Sequence, residues 1–411
     1  MAIELSNLTF TEQDDIVPAS GEEEIVNTGI ANSLSGNDVI TGTGIYAFQN
    51  FATLNTSDGN DTITGTGTLY GLVNHPFGTV DTGNGHDVII GITSSNNYGT
   101  FGFSNLDSTF NTGNGNDIIT GTGGYRAIEN GGTLNTDDGN DTIIGTAGTF
   151  YSVGIQTLDS DSLVDTGKGN DVIIGTGISG GIVISEGTLN TDDGNDTITG
   201  NADLGFGISN DGTINSGNGN DIITGTGITG IFNRSTINTG NGEDSIVSHG
   251  SIYNSNVIET GEGNDAITST GVIYNEGIIN TGNGDDSITV DGITGTGYGI
   301  YNNGGAIITG DGNDSIIANE GFQSGPNSSG AWFLGEGDDY IKGFGSGDFY
   351  GGNGNDILEL TPGTYTVGIW DRVVFAKGNS LMLASEFEKL KAGDEMYDFT
   401  SLTAGQIIVV A

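Results

Sequence analysis

One short motif recurs fourteen times along this chain and constrains its fold more than any other feature. Each copy has a Gly two residues before an Asp and an Ile two residues after it, except that Leu358 replaces the Ile in the last copy. Successive motif aspartates lie between 17 and 30 residues apart. A repeat at this period indicates a solenoid, in which each repeat is one structural unit stacked on the next. The motif aspartates are Asp38, Asp61, Asp87, Asp117, Asp141, Asp171, Asp196, Asp221, Asp244, Asp265, Asp286, Asp314, Asp339 and Asp356.

A second repeat fills the space between these motifs. Residues 128–136, Ile-Glu-Asn-Gly-Gly-Thr-Leu-Asn-Thr, correspond to residues 208–216 and 231–239 and more loosely to 273–281. Each period therefore offers three short strands, of the forms Asp-x-Ile-x, Gly-Ile-x-Asn and Gly-Thr-Ile-Asn. One coil of this length cannot bury its own Ile side chains, whereas stacked coils form a continuous apolar column. The pattern predicts an all-β, right-handed parallel β-helix (β-solenoid) of about 13 coils, with three short strands per coil and a small β-rich C-terminal cap.

Asparagines recur at one place in the second strand of the repeat. In stacked coils their side-chain amides would hydrogen-bond to one another, so we predict an asparagine ladder with a structural role. Its predicted members are Asn50, Asn130, Asn210, Asn233, Asn254, Asn275 and Asn302.

Composition narrows the possible partners of such a solenoid. The 411 residues include 53 acidic and 8 basic side chains, which gives a formal net charge of −45. A chain this acidic is not suited to bind nucleic acid or an anionic lipid surface. There is no Cys, so no disulfide holds the coils together. No apolar run is long enough for a transmembrane helix, so no membrane insertion is expected.

The motif itself indicates a hard cation. Aspartates about 5 Å apart at an effective dielectric constant of 20 repel by roughly 3 kcal/mol per neighbouring pair. Summed over a file of fourteen, this repulsion exceeds the ~5–15 kcal/mol net stability of a typical domain. Calcium between consecutive loops would take one Asp from each and complete its shell with glycine-loop carbonyls. The alternative is a metal-free glycine turn whose Asp caps backbone amides.

The Gly-Asn-Gly-Asn-Asp-x-Ile loops resemble the repeats of the RTX, or hemolysin-type, calcium-binding family over about residues 34–360. The resemblance implies multiple Ca²⁺ ions held by the fourteen aspartates and by backbone carbonyls of the glycine-rich loops. The implied carbonyl ligands include those of Gly83, Gly85, Gly113, Gly115, Gly217 and Gly219. Family repeats usually run in tandem every nine residues, with calcium on both edges. The longer inserts of this chain resemble autotransporter and adhesin β-helix coils instead, so we expect one file of calcium along one edge.

Both ends of the chain depart from the repeat. Residues 1–30 lack the motif and are expected to form an N-terminal cap before the repeats of residues 31–357. Residues 358–411 are expected to form a C-terminal cap, with strands over 365–370 and 372–375, a short helix over 385–391 and a closing segment over 406–411. The family resemblance implies that this last segment is an uncleaved type I secretion signal. That would place the protein outside the cell or on the cell surface, and would explain why Met1–Phe10 does not resemble a Sec signal.

No catalytic constellation is evident in the sequence. The three histidines, His75, His86 and His249, lie far apart, and the only arginines in the coils are Arg126 and Arg234. We therefore predict no enzyme, although a carbohydrate-active enzyme or accessory module on a β-helix is an alternative. Ice binding is a third possibility, because Thr-x-Thr runs at 41–43, 62–66, 120–122 and 224–226 could form outward files.

The prediction from sequence is therefore a secreted, calcium-stabilised structural rod. It would act at a cell surface, in an extracellular matrix or in adhesion. Its expected partners are calcium ions, with cell-surface polysaccharide or end-to-end self-association as further candidates.

Overall fold

The computed structural model describes residues 2–18, 23–95, 97–292, 297–325 and 330–411. It is an all-β, right-handed parallel β-helix of about thirteen turns, which confirms the predicted fold class. The chain forms two compact units: residues 1–218 with 223–230, and residues 219–222 with 231–411. They are called unit 1 and unit 2 below. Among the described residues the only helical turns are two 3₁₀ turns, Leu5–Asn7 and Phe399–Ser401.

Each coil contributes three strands, named here by their order after the aspartate. The first strands are Ile16–Val17, Val88–Thr93, Ile118–Gly123, Thr142–Ala147, Val172–Gly177, Thr197–Ala202, Ala266–Ser269, Ser287–Val290, Ser315–Ala318, Tyr340–Lys342 and Ile357–Leu360. The second strands are Ile3–Glu4, Ile25–Asn27, Phe101–Asn105, Arg126–Asn130, Val153–Thr157, Gly180–Ile184, Phe206–Asn210, Ile273–Asn275, Ile300–Asn302 and Phe322–Ser324. First and second strands are continuous in Val39–Asn50, Thr62–Asn74, Ile222–Asn233 and Ser245–Asn254.

The third strands precede the aspartate loops. They are Ile30–Asn32, Thr53–Asn55, Thr79–Asp81, Thr109–Asn111, Thr133–Asn135, Leu163–Asp165, Thr188–Asn190, Thr213–Asn215, Thr236–Asn238, Val257–Glu259, Ile278–Asn280, Ala306–Asp311, Ala331–Glu336 and Gly347–Asn353. The C-terminal strands are Gly363–Ile369, Val373–Lys377, Ser380–Ser385, Lys389–Ala392, Glu395–Asp398 and Ile407–Val410.

The motif isoleucines form the core because the coils stack without a register shift at these positions. Ile119, for example, pairs with Ile89 on one side and with Ile143 on the other. All fourteen residues at this place, including Leu358, are at most 1 % exposed. Side chains alternate between the two faces of a strand, so one inward residue in each short strand is enough to build the apolar column.

Each coil narrows where the first strand turns into the second, a place called the tip below. A Cβ added to Gly121 would lie 2.2 Å from the carbonyl oxygen of Ala127, and one on Gly175 would lie 2.3 Å from that of Gly181. In unit 1 the first and second strands therefore pack backbone against backbone near the tip, and this spacing requires glycine. In unit 2 the same place is taken by Ser248, Ser269, Val290 and Ala318. The aspartate loops lie at the junction between the third and first strands.

The asparagine ladder exists within each unit, although in unit 1 Thr157 and Ile184 take the asparagine place between Asn130 and Asn210. In unit 1 the Nδ2 atom of Asn50 donates to Oδ1 of Asn74 at 2.8 Å, and Asn74 donates to Asn105 at 3.0 Å. In unit 2 Asn233 donates to Asn254, which donates to Asn275, both at 2.8 Å. The sequence analysis missed three members, Asn27, Asn74 and Asn105, which occupy the same buried place. The loops between these residues vary in length and obscure their alignment in the sequence.

The predicted helix over 385–391 is wrong. Ser380–Ser385 and Lys389–Ala392 are strands that pair in parallel with Gly347–Asn353 and Ile357–Leu360. These residues continue the solenoid, because Leu390 is fully buried at the place of a motif isoleucine. Antiparallel strands complete this end of the chain, with Gly363–Ile369 pairing with both Val373–Lys377 and Ile407–Val410. They form the small β-rich cap and include most of the two segments predicted to be strands, 365–370 and 372–375.

At the other end, coil-like pairing begins before residue 30. Ile3 pairs in parallel with Ile25, and Ile16 pairs with Val39. The described part of the first 30 residues is therefore stacked on the repeats as incomplete coils.

Candidate metal centre in the aspartate loops

The glycines of the loops have conformations that other residues rarely adopt. Gly113 and Gly115 have φ values of 77° and 148°. A Cβ on Gly115 would lie 1.3 Å from the carbonyl oxygen of Gly85 in the preceding coil, and one on Gly85 would lie 1.6 Å from that of Gly59. Gly83, Gly217 and Gly219 also have positive φ, at 85°, 93° and 138°. The loops therefore stack backbone on backbone, with carbonyl groups directed along the stack.

The motif aspartates form a continuous hydrogen-bonded file within each unit. The backbone amide of each Asp donates to Oδ1 of the Asp in the next coil. In unit 1 these bonds run from Asp38 to Asp196 at 2.7–2.8 Å. In unit 2 they run from Asp221 to Asp356 at 2.8–2.9 Å. Stacking in register, which the sequence analysis inferred, places all the predicted Asp ligands of each unit in one file.

The geometry differs from the sequence analysis in one respect. The predicted repulsion is between charges in direct sequence along the file, whereas a backbone amide lies between each pair of carboxylates. Oδ1 of each aspartate therefore caps a backbone amide, as the metal-free alternative predicts. This interaction does not occupy the second oxygen.

Many of the second carboxylate oxygens are buried without a hydrogen-bond partner. All fourteen aspartates are at most 2 % exposed. In three of them Oδ2 accepts a hydrogen bond from a threonine hydroxyl, as from Thr136 to Asp141 at 2.6 Å. In most of the others the corresponding hydroxyl lies near the carboxylate but donates to a carbonyl oxygen, as Thr56 does to Thr82, so Oδ2 accepts no well-aligned hydrogen bond. The partnerless oxygens belong to Asp38, Asp61, Asp117, Asp244, Asp265, Asp286, Asp314, Asp339 and Asp356.

Burial makes the charged form of these carboxyls costly. It raises the pKa of Asp61 and Asp117 from 3.8 to about 6. It raises the pKa of Asp87, Asp141 and Asp286 to about 7, and the neighbouring carboxylates of the file add to each of these three shifts. A buried carboxylate needs a compensating positive charge or a proton.

The residues before most of the aspartates form a second ladder in the opposite direction. The backbone amide of Asn140 donates to Oδ1 of Asn116 in the preceding coil at 2.8 Å, and Asn170 donates to Asn140 in the same way at 2.7 Å. His86 belongs to this ladder, since the amide of Asn116 donates to its Nδ1 at 2.7 Å. The two ladders hold each loop to both of its neighbours.

The loop atoms fit a calcium ion better than any softer metal. All the available donors are carboxylate or carbonyl oxygens, which are calcium ligands. A Cβ on Gly139 would lie 1.5 Å from the Gly115 carbonyl oxygen and 3.0 Å from Oδ1 of Asp141, so oxygens of two coils converge above this glycine. In the described parts of the chain, no three His, Cys, Asp or Glu side chains converge on one metal position. Backbone carbonyls would therefore supply most of the ligands, with carboxylates from consecutive loops completing the shell.

The file has two members that the sequence analysis missed. At the N-terminal end the amide of Asp15 donates to Oδ1 of Asp38 at 2.8 Å. At the C-terminal end the amide of Asp356 donates to Oε2 of Glu388 at 2.8 Å. Asp15-x-Val17 and Glu388-x-Leu390 each preserve an acid with an apolar residue two places later, and this spacing was the available signal.

The other residues singled out in the sequence lie apart from the aspartate file, except His86. His75 stacks on Phe51 with ring centroids 3.8 Å apart, and His249 lies at an exposed tip. Arg126 pairs with Glu129, and Arg234 lies over the Phe232 ring. The proposed threonine files are in register between Thr41 and Thr64 and between Thr43 and Thr66, but Ile90 and Ile92 replace threonine in the next coil.

No protein-family model and no curated protein matches this sequence. Among solved structures, the chain is similar to a hyperactive, Ca²⁺-dependent, β-helical antifreeze protein from an Antarctic bacterium. The identity is 19 % and the TM-score is 0.37, over 75 % of this chain and 83 % of that one. Among the described residues, no helix is long and apolar enough to cross a membrane. The function must therefore be inferred from the chain's own residues.

Proposed function

We propose that this protein is a calcium-stabilised structural solenoid. The observation that supports this most directly is the file of buried aspartates, many of which keep one carboxylate oxygen without a hydrogen-bond partner. A protein without bound cations would have to keep these carboxyls protonated or tolerate buried charge. Oxygen donors repeated in every coil, together with a net charge of −45, favour a hard divalent cation.

The glycines and the aspartate of each loop have different roles in the proposed site. Glycines hold the backbone in left-handed conformations, so that carbonyl groups of consecutive coils approach one another. Oδ1 of each aspartate anchors the amide of the preceding coil, which fixes the carboxylate and leaves Oδ2 available as a ligand. Bound calcium would supply the positive charge that offsets the ionised aspartates, so binding and folding would be coupled.

The test is a calcium titration of metal-stripped protein, followed by circular dichroism and thermal unfolding. We expect β structure or melting temperature to rise with calcium, with several ions bound per chain by equilibrium dialysis. Magnesium at the same concentration serves as the control, because it demands a smaller and more rigid octahedral site. An unfolding curve that is the same in chelator and in calcium would refute the proposal.

We further propose that the protein works outside the cell, in a surface layer, a matrix or adhesion. The low calcium concentration of the cytosol would leave sites of moderate affinity empty, and the chain has no thiol that requires a reducing compartment. The RTX-like loops and the C-terminal segment are consistent with export by a type I system. Fusing residues 358–411 to a reporter in a strain with and without such an exporter tests this, and export that is independent of the exporter would contradict it.

A second candidate function, ice binding, is favoured by a face that the sequence analysis did not consider. On the third strands of unit 1, Thr53, Thr79, Thr109 and Thr133 stack in register. An Asn or Asp lies two residues after each of them and forms a parallel file. Rows repeated at the ~4.8 Å strand spacing give a regular array of hydroxyl and methyl groups.

Thermal hysteresis and ice-crystal shaping test this candidate in the calcium-loaded protein. Thr109→Tyr with Thr133→Tyr should abolish both effects, because two bulky side chains interrupt the array. Thr122→Tyr, on the first strands, is the matched control and should leave both unchanged. Wild-type protein without hysteresis would exclude this function.

A further inference from the structure

The tips of unit 1 are unusually apolar for a protein of this charge. Exposed apolar residues occupy five of its tips: Ile45, Tyr98, Phe150, Leu204 and Ile228. The described tips of unit 2 carry His249, Thr270, Asp291 and Asn319, and the one aromatic ring in these turns, Tyr298, is partly buried against Tyr274 and Tyr301. Apolar surface that is repeated from coil to coil marks an interaction site rather than chance exposure.

Aromatic rings concentrate in the middle of this row. Tyr98, Phe101, Tyr125, Phe150 and Tyr151 are called the tip cluster. The rings of Tyr98 and Tyr125 are 4.5 Å apart, those of Phe101 and Tyr125 are 5.8 Å apart, and Phe150 meets Tyr151 edge to face at 5.0 Å. Consecutive tips are joined by backbone hydrogen bonds, including one from Thr149 to Gly124 at 3.0 Å. The rings are therefore held on a fixed scaffold.

Three members of the tip cluster present most of their side chains to solvent. Tyr98 is 70 % exposed, Phe150 is 63 % exposed and Tyr151 is 64 % exposed. At this exposure a large part of each ring face is open, unlike the rings of Tyr46 and Tyr70, which stack face to face at 5.3 Å. An open aromatic face is an apolar platform with a polar hydroxyl edge in tyrosine.

A fixed polar group lies beside these rings. Arg126 stacks over the Tyr125 ring at 4.9 Å and forms an ion pair with Glu129. Glu129 is 5 % exposed and also accepts a hydrogen bond from the Ser104 hydroxyl at 3.0 Å. The Nε atom of Arg126 is buried without a hydrogen-bond partner. The guanidinium is thus held in place between Glu129 and the Tyr125 ring.

We propose that the tip cluster binds a neutral polysaccharide chain. The apolar C–H faces of a sugar ring pack against aromatic rings, and its hydroxyl groups bond to paired charged and hydroxyl side chains. The tips repeat along one direction, which suits a linear polymer. A net charge of −45 disfavours a polyanionic glycan, and the single ion pair of the patch carries no net charge to attract one. A second copy of this chain would meet the same repulsion.

Affinity electrophoresis of the full, calcium-loaded chain tests this proposal. The native gels contain galactomannan, mixed-linkage β-glucan or dextran, with alginate as the anionic comparison. We expect at least one neutral glycan to retard the protein and alginate not to do so. Tyr98→Ala with Phe150→Ala and Tyr151→Ala should weaken the retardation by about tenfold or more, since each lost stacking contact contributes to affinity. Phe77→Ala, which removes a 92 % exposed aromatic side chain between a second and a third strand of the same unit, should leave it unchanged.

The outcomes separate this proposal from the calcium proposal. The tip cluster lies away from the aspartate loops, so the triple variant should keep the calcium-dependent circular dichroism of the wild type. Equal retardation of wild type and triple variant, or no retardation by any neutral glycan, would overturn the proposal. A wild-type dimer in light scattering that the triple variant abolishes would overturn it in favour of self-association.

Discussion

The backbone amide of Asp117 donates a 2.7 Å hydrogen bond to Oδ1 of Asp141, one coil away. The bond links two buried acidic residues through an amide, so one oxygen of the carboxylate holds neighbouring coils together. In many coils the other oxygen has no protein partner. The different roles of Oδ1 and Oδ2 lead to the first two predictions.

Replacing a file aspartate by its amide should affect metal-free and calcium-loaded protein in opposite directions. In Asp265→Asn the side-chain oxygen can still accept from the Asp244 amide, while the buried charge and one calcium ligand are lost. We expect the metal-free variant to be more stable than wild type by about 1–3 kcal/mol. The calcium-loaded variant should be less stable and should bind less calcium. Urea unfolding and equilibrium dialysis measure both effects.

The matched control for Asp265→Asn is Glu262→Gln, which removes one charge from the exposed side of the same loop. It should change neither calcium stoichiometry nor stability by more than about 0.5 kcal/mol. Equal changes in stability and calcium stoichiometry in the two variants would show that these properties depend on net charge and not on the position in the aspartate file.

Metal-free protein should lose stability as pH rises. Burial raises the pKa of Asp87 and Asp141 from 3.8 to about 7 in the folded chain. A carboxyl whose pKa is raised in the folded chain makes its full contribution to stability below pH 4, where it is protonated in both the folded and the unfolded chain. The contribution is lost between pH 4 and about 7, at ~1.4 kcal/mol per pKa unit for an isolated group. Urea midpoints of metal-stripped protein should therefore be higher at pH 5 than at pH 8.

Calcium should weaken this pH dependence, because it stabilises the ionised carboxylates. Competition between protons and calcium would then appear as weaker calcium binding at pH 5 than at pH 8. A metal-free protein that is more stable at pH 8 would contradict the assignment of these carboxyls as buried and uncompensated.

Alanine in place of a loop glycine should disrupt stacking. At Gly115 a Cβ would lie 1.3 Å from the Gly85 carbonyl oxygen, and the φ of 148° is unfavourable for alanine. Gly115→Ala should cost roughly 3 kcal/mol or more. Gly148→Ala is the control, because nothing lies within 4 Å of its Cβ position. Thermal unfolding should separate the two, and equal losses would argue against close loop stacking.

Interrupting the asparagine ladder should be destabilising even without metal. Asn254 accepts from Asn233 and donates to Asn275 and to the Ile278 carbonyl, all at 2.8–2.9 Å. Asn254→Leu would leave these buried groups unpaired at a cost of about 2–4 kcal/mol. Asn256→Ala, at an exposed side chain in the next turn, should cost little. Chemical unfolding in chelator compares them, and a neutral Asn254→Leu would show that the ladder adds no stability.

Much of the architecture follows from the sequence because the repeat is periodic. One Asp, one Gly and one Ile at fixed spacing specify a loop and a buried strand residue, and stacking is the only way to bury Ile119 and its equivalents. The file of aspartates follows from the same register. Asn74 and Asn105 escaped prediction because variable loops separate them from the motif, although their buried place is the same. The helix predicted over 385–391 failed because local propensity was given more weight than the Glu388-x-Leu390 spacing.

The sequence by itself therefore determined the coil, its core and the acidic file, since each depends on residues repeated within one period. Only the tertiary structure decided how each carboxylate divides its two oxygens, because that depends on which amide of the neighbouring coil lies within reach of Asp141. It also brought Tyr98, Tyr125 and Arg126 together at the tips. Their contacts cross from one coil to the next, so the spacing of these residues along the chain does not predict them.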